Sequence, residues 1–248
     1  MDEWSASFHI LSMGPIWAYI IKGTVFTLVI SVTAIALSLV FSSVLALVRN
    51  YATAPQYKPL YLAAVWYIEI FRNTPLLLWI FVAIVFCPVP DAFGHPLFGL
   101  TSVETKMLFK AAVALTLFET ACIAEIIRGG LNAVPKGQFE TAYTQGFGVV
   151  GTMYHIILPQ AFRHVVPTLL SQIITTVKDS SFLANVATIE LMSRVRKIMS
   201  TAGMYNGLGT INVSDVFVLY GTAAAIYFVI DFSLSLVVRH IQKKRGTI

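Results

Sequence analysis

Several ionisable and hydroxyl side chains stand inside stretches that are otherwise apolar. Glu69 and Arg72 lie three residues apart and run directly into Asn73, Thr74 and Pro75. Glu119 and Glu125 interrupt a second stretch, Lys178, Asp179, Ser180 and Ser181 close a third, and Asp231 stands alone in a fourth. A charge inside a membrane span costs at least about 2.5–3.5 kcal/mol on insertion scales, so such residues either pair or line the path of a polar solute. Arg72 suits a carboxylate, which its planar guanidinium can grip with two hydrogen bonds. Asp179 suits an ammonium group, and Asn73, Thr74, Ser180 and Ser181 supply amide and hydroxyl lining. Plainer roles compete with these. Glu69 and Arg72 share a helical face and suit each other as an ion pair; Asp179 suits a helix cap or a partnership with Lys178. Glu119 is the deeper of its two acids and a candidate for the path. Glu125 and Arg128 have the i, i+3 spacing of a pair at a helix end, and Asp231 suits either a neighbouring helix or a solute.

These groups make no catalytic set. Cys87 and Cys122 are too few for a disulfide framework and form no C-x-x-C, and neither H-E-x-x-H nor G-x-S-x-G occurs. The run GFGVVG, Gly146 to Gly151, matches the dinucleotide fingerprint G-x-G-x-x-G. That fingerprint works only between a strand and a helix, with an acid about 20 residues on. Here the preceding QFETAYTQ reads as helix and the next acid is Asp179. A phosphate-cradling G-x-x-x-x-G-K-[ST] is also missing, so the chain has no ATP site of that kind.

The elements that must position these residues are membrane helices. Of 248 residues 57% are hydrophobic and 12% charged, with mean hydropathy +0.77; a soluble domain carries roughly 25% charge. About 20 apolar residues cross a bilayer, and Gly23 to Val48 runs without a single charge. Five spans are expected: about Ile16–Val48, Leu60–Cys87 interrupted at EIFRNTP, Met107–Ile127, Val165 to VKDSS, and Val216–Val238. One all-α membrane domain then accounts for residues 1–248.

The net charge of +5 comes from basic residues in loops and at the C-terminus, with no basic face and no interleaved aromatics, which argues against nucleic acid. Arg49, Lys58, Arg128, Lys136, Arg163 and the tail RHIQKKRGTI favour a multi-pass protein with its N-terminus outside and its C-terminus cytoplasmic. The acidic N-terminus lacks the basic region of a signal peptide. SRVRKI, Ser193 to Ile198, opposes this orientation and reads as a partly embedded helix in a long loop.

Between the third and fourth spans lie about 35 residues too polar to span and too patterned for a flexible linker. Phe139, Ala142 and Tyr143 share a helical face, and a second short helix is expected from Val149 to Ile157, ended by Pro159. Two short surface helices of this kind suit docking of another protein. Glu140 offers a charge, Ala142 a close approach, and Gly146 a tight bend.

The same segment resembles the cytoplasmic-loop signature of ABC-importer permeases: E-A-A, three residues, G, nine residues, I-x-L-P. Here it reads Glu140, Thr141, Ala142, then Gly146, then Ile156, Leu158 and Pro159, with Thr141 replacing an alanine. EIFRNTPLLLWIF, FETACIAEIIRGGLNAVPKGQ, ILPQAFRHVVP and VKDSSF are similar to the polar amino-acid uptake branch of that family. The resemblance implies a type I importer permease with the coupling element at about residues 128–163. Its implied partners are an ATPase dimer, a second permease chain, identical or homologous, a solute-binding protein and membrane lipid. ATP and magnesium would belong to the ATPase, this chain holding no cofactor and performing no reaction. The cargo implied is an acidic amino acid or its amide, moved inward by alternating access. A basic amino acid, cystine or an opine is the nearest alternative; an ion channel or a membrane-embedded enzyme is more distant.

Overall fold

Apolar runs longer than a bilayer is thick leave backbone groups no partner but their own helix, and the chain folds accordingly. The structure is a computed structural model that describes residues 2–52, 54–97, 99–186 and 188–244. Among these, helices account for all the regular structure. A short α1 (Glu3–Ser12) precedes α2 (Gly14–Tyr51); α3 (Lys58–Arg72) and α4 (Leu76–Phe86) follow, then α5 (Ser102–Asn132). Two short helices, α6 (Lys136–Thr144) and α7 (Val149–Thr152), lead through a π-helical turn (Met153–Ile157) into α8 (Leu158–Asp179). Then come a 3₁₀ turn (Ser180–Val186), α9 (Leu191–Ser200), α10 (Ala202–Tyr205) and α11 (Val213–Lys244).

Three helices, α2, α5 and α11, are long and apolar enough to cross a membrane. The α3–α4 pair qualifies as a fourth, broken span, bent by 110°. Pro75 lacks an N–H and disfavours helical geometry at Thr74, so the break falls at 73–75, inside the EIFRNTP interruption. The fourth expected span, Val165 to VKDSS, is α8, which has 22 residues but falls outside the apolar set. Gln160, Arg163, His164, Gln172, Lys178 and Asp179 give it a polar face. It also begins at Leu158, earlier than the expected Val165. Valines and phenylalanines of α2 and α11, among them Val32, Val40, Phe228 and Val229, are exposed, as lipid-facing side chains should be.

The chain divides into two compact units. The first takes Met1–Ala34, Leu76–Leu115 and Thr176–Leu234. Its core joins Ile10 of α1, Ile16 and Ile20 of α2, Leu191, Val195 and Ile198 of α9, and Leu219 and Ala223 of α11. The i, i+3, i+4, i+7 spacing of Leu191, Arg194, Val195 and Ile198 is the buried stripe of an amphipathic helix. SRVRKI is thus helical, and Arg194 is buried rather than solvated. Its guanidinium lies 4.1 Å over the Tyr19 ring, and its Nε donates to the Ile189 carbonyl at 2.9 Å. Gly23 makes this possible, since a Cβ there would sit 2.7 Å from Arg194 Cδ and 3.0 Å from Leu191 Cα. Ser7 of α1 donates to Asp215 at 2.6 Å, and Asn206 donates to the same carboxylate at 2.8 Å.

The second unit takes Ile35–Pro75, Thr116–Thr175 and Ser235–Ile248. There α5 and α8 approach closely at Gly130, where an added Cβ would clash with Val165 Cγ2 and lie 3.3 Å from the Ala161 carbonyl. Residues 245–248, the end of the basic tail used to orient the chain, lie outside the described residues.

Candidate functional site

The connection from α5 to α8 is built by backbone chemistry legible in its residues. Gly146 closes α6 with φ of +83°, a left-handed conformation that glycine adopts without strain. Its N–H donates to the Tyr143 carbonyl at 3.0 Å, and the Phe147 N–H donates to the Ala142 carbonyl at 3.1 Å. This is the double bond pattern of a glycine-terminated helix. The segment is fastened beneath by Leu131, Val134, Ile157 and Ala161, with Phe139, Met153, Ile156 and Leu158 packed against them. Gln160 donates to Gln138 at 3.1 Å, tying the start of α8 to α6.

On the shared face of α6, Ala142 is buried and Phe139 packs, while Tyr143 is 48% exposed. One expectation needs correction here: Pro159 does not end the second short helix. It is the second residue of α8, directly after the π turn, and that wider turn carries the chain from α7 into α8 without interruption. The outer surface of the connection carries Glu140 and Thr141, both exposed, together with Phe147, Val149, Val150 (81%) and Tyr154 (69%).

In the same unit the helix ends bring guanidinium and carboxylate groups together. Glu69 accepts from Arg49 at 2.6 Å and from Asn73 Nδ2 at 3.1 Å. Glu125 accepts from Arg49 at 3.1 Å and from Arg128, and Arg72 Nη1 stands 3.9 Å from it. The i, i+3 pair Glu125–Arg128 therefore forms, whereas the expected Glu69–Arg72 pair does not. Arg49, from α2, takes Glu69 instead, and Arg72 turns to Glu125 of α5. Thr74 donates to the Ile70 carbonyl at 2.6 Å, satisfying one of the last carbonyls of α3. Deeper in α5, Glu119 is fully buried and accepts from Gln172 of α8 at 3.0 Å.

Asp179, Ser180 and Ser181 belong to the other unit. Ser180 is buried and donates to the Val177 carbonyl at 2.7 Å, so its hydroxyl serves the helix end. Ser181 and Lys178 line a cleft of about 280 Å³ whose walls are Met192, Tyr220, Ala223, Ala224 and Tyr227. Beside it, in the connection between α8 and α9, Glu190 is fully buried at the start of α9. It accepts from the Met192 and Ser193 N–H groups at 2.7 and 2.6 Å and from the Tyr227 hydroxyl at 3.2 Å. Burial pushes the Glu190 carboxyl up to about 7, against the lowering effect of its donors.

Arg49, Gln172, Glu190 and Tyr227 escape a reading by spacing. Arg49 and Glu190 carry a detectable signal, a charge at the margin of an apolar run. Their side-chain partners are 20 to 76 residues away and leave no periodic trace.

Comparison with known proteins agrees with this architecture. Residues 51–247 match the family model of the binding-protein-dependent transport system inner membrane component. The Probable glutamine ABC transporter permease protein GlnP of Bacillus subtilis (strain 168) is 33% identical over 92% of this chain and 94% of its own length. The glutamate/aspartate import permease protein GltK of Escherichia coli O6:H1 is 31% identical over 94% of this chain and 96% of its own. The crystal structure of an amino acid ABC transporter with histidines superposes with a TM-score of 0.76 at 27% identity, covering 95% of this chain and 98% of that one. An all-helical chain with membrane-spanning helices, a patterned α5–α8 connection and such relatives belongs to the binding-protein-dependent inner-membrane transport components, as a multi-pass amino-acid ABC transporter permease subunit rather than an enzyme.

Proposed function

We propose that residues 1–248 form one permease domain that imports a polar amino acid, an acidic one or its amide, by alternating access. The N-terminus lies outside and the C-terminus in the cytoplasm. The coupling element is the α5–α8 connection, about residues 128–163, which docks on an ATPase that binds ATP and magnesium. Glu140 and Thr141 present the polar contact, Ala142 and Gly146 set the bend, and Ile156, Leu158 and Pro159 transmit displacement into α8. The observation that carries this reading is the built surface of the connection. Its inner side is packed, while Val150, Tyr154 and Glu140 face outward. A chain lacking a phosphate-cradling motif must receive mechanical work through such a contact.

A second permease chain and a solute-binding protein complete the assembly. Glu69, Arg72, Asn73, Thr74, Glu119, Asp179, Ser180 and Ser181 line the solute's route. Arg72, 39% exposed and held by a long 3.9 Å contact, is the one offered to a passing carboxylate. The sharpest test reconstitutes the chain in liposomes with its ATPase and binding protein and introduces Glu140→Lys. Uptake and substrate-stimulated ATP hydrolysis should fall at least about ten-fold, the scale of a 1.4 kcal/mol loss at an interface. Full uptake with normal stimulation would overturn the coupling role. Arg72→Ala with unchanged affinity and uptake would remove Arg72 from the route.

A further inference from the structure

The surface of α1 falls into stripes of different chemistry, and the first unit covers only one of them. Ala6, Ser7 and Ile10 are buried, with Ile10 in the core. Ser5, His9 and Ser12 follow at i, i+4, i+7 and form an exposed polar stripe. Trp4, Phe8 and Leu11 repeat that spacing one position earlier. Trp4 is 52% exposed, Phe8 is 58% exposed, and Leu11 is half-buried. A helix of 10 residues does not persist alone in water, and Ile10 is the one large side chain that α1 buries fully. Two aromatic rings on its surface are therefore left for something other than this chain to cover.

The helix is fastened to the start of a membrane span. Ser7 donates to Asp215 at 2.6 Å, and the Ser214 hydroxyl donates to the Glu3 carbonyl at 3.2 Å; both partners lie in the first turn of α11. Phe217, also exposed, stands with its ring 6.2 Å from that of Trp4. Phe217, Gly221, Ala225, Phe228 and Phe232 are all exposed and recur every three or four residues along one side of α11. Trp4 thus continues the lipid-facing side of a spanning helix onto α1. At the far end of α1, Trp17 donates its indole N–H to the Leu11 carbonyl at 2.7 Å and is itself partly exposed. A bilayer boundary takes aromatic rings on one side and leaves a neighbouring polar stripe in water on the other. No lysine or arginine precedes Lys22, and Asp2 and Glu3 open the helix. Attraction to anionic headgroups consequently adds nothing, and the rings must supply the contact.

We infer that α1 is an interfacial lipid-binding helix. It lies along the bilayer boundary where α11 begins, with Trp4 and Phe8 among the headgroups and upper acyl chains. Ser5, His9 and Ser12 face water, and Ser7 and Ser214 tether the helix to α11. The assignment holds for either leaflet and for any cargo, so it stands or falls separately from import and coupling.

The test uses the permease assembled with its ATPase in lipid nanodiscs, with Cys87→Ser and Cys122→Ser. Trp4→Cys, Ser5→Cys, Phe8→Cys and His9→Cys are introduced one at a time and spin-labelled. Labels at 4 and 8 should meet dissolved oxygen, and labels at 5 and 9 a water-soluble nickel chelate. Their oxygen-to-nickel accessibility ratios should differ at least about ten-fold, the preference that burying one large apolar side chain confers. Labels at 4 and 8 that meet nickel as freely as those at 5 and 9 would place the stripe in water and overturn the inference. Labels at 4 and 8 that meet neither reagent would show it covered by protein, a second permease chain included, and would overturn it equally. The ratios should be the same in phosphatidylcholine as in discs rich in phosphatidylglycerol, and a strong dependence on the anionic lipid would overturn the apolar basis of the contact. Where a labelled variant fails to assemble, the native Trp4 decides. Its emission, taken as the difference between wild type and Trp4→Phe, should be quenched by lipids brominated near the headgroup and spared by iodide in the water. Quenching by iodide alone, or by neither, would count against lipid contact.

Discussion

Glu125 and Glu190 are both carboxylates withdrawn from water, one 19% exposed at its side chain and the other fully buried, and each is satisfied differently. Glu125 collects guanidinium groups: Arg49 and Arg128 donate to it and Arg72 stands nearby. Glu190 collects dipoles: two N–H groups at the start of α9 and the Tyr227 hydroxyl. Opposite charges hold a carboxylate ionised but leave each arginine dependent on it. Backbone donors cap a helix and cannot rearrange, but they compensate a buried negative charge only in part. Glu190 consequently sits near neutrality in its protonation, while the Glu125 cluster is a fixed ionic joint between helix ends.

The largest effect should come from Glu125→Ala, which leaves Arg49, Arg72 and Arg128 facing one another with Glu69 alone. Removing one partner of a partly buried ionic network costs on the order of 2–3 kcal/mol, below the range for fully buried pairs. Tm of the purified chain in detergent should fall by about 5–10 °C. A drop smaller than that of Glu190→Ala would reverse the ranking.

Glu190→Ala removes a helix cap and the acceptor of the Tyr227 hydroxyl, for about 1–2 kcal/mol. Its signature should be local, with amide exchange accelerated in the first turn of α9.

A separate effect concerns pH and is a slope in wild type rather than a loss on substitution. Glu190 has a folded-state value of about 7 against 4.5 when unstructured. Below pH 4.5 it is protonated in both states and costs nothing. Between 4.5 and 7 the unfolded chain releases the proton first, so the folded state binds more protons and stability falls as pH rises. Above 7 the loss is complete. Tm measured across this window should decline in wild type and decline less in Glu190→Gln, and equal slopes would remove Glu190 as the source.

The smallest effect belongs to Arg49–Glu69, whose acid is 41% exposed. Exposed pairs contribute little and are screened by salt. The coupling between Arg49→Met and Glu69→Ala in a double-variant cycle should be a small fraction of the Glu125→Ala loss and should shrink further in high salt.

Much of the fold can be read along the chain. Gly23 to Val48 has one conformation that satisfies its backbone in lipid, and Pro75 dictates the break after Arg72. Gly146 marks a left-handed turn because the helix-forming residues before it must stop somewhere cheap. The α5–α8 connection is similarly legible, with its one misjudged boundary at Pro159, where a proline at a helix start and a proline past a helix end look alike in sequence. α8 is visible as an element but not as an amphipathic one, since its polar residues acquire meaning only once neighbours are known.

Helical periodicity and backbone donor chemistry act over a few residues, so the sequence by itself determined the helices, the break at 73–75, the glycine-closed turn and the exposed Glu140. Partner choice was decided only by tertiary structure. Glu69 and Arg72 have ideal spacing for each other, yet Arg49 and Glu125, brought from α2 and α5, divide them. The same holds for Glu119 with Gln172, Glu190 with Tyr227, and Arg194 over Tyr19. A long charged side chain reaches several candidates at once, and which one it takes depends on which helix faces meet. That is a property of packing over the whole chain rather than of any local run of residues.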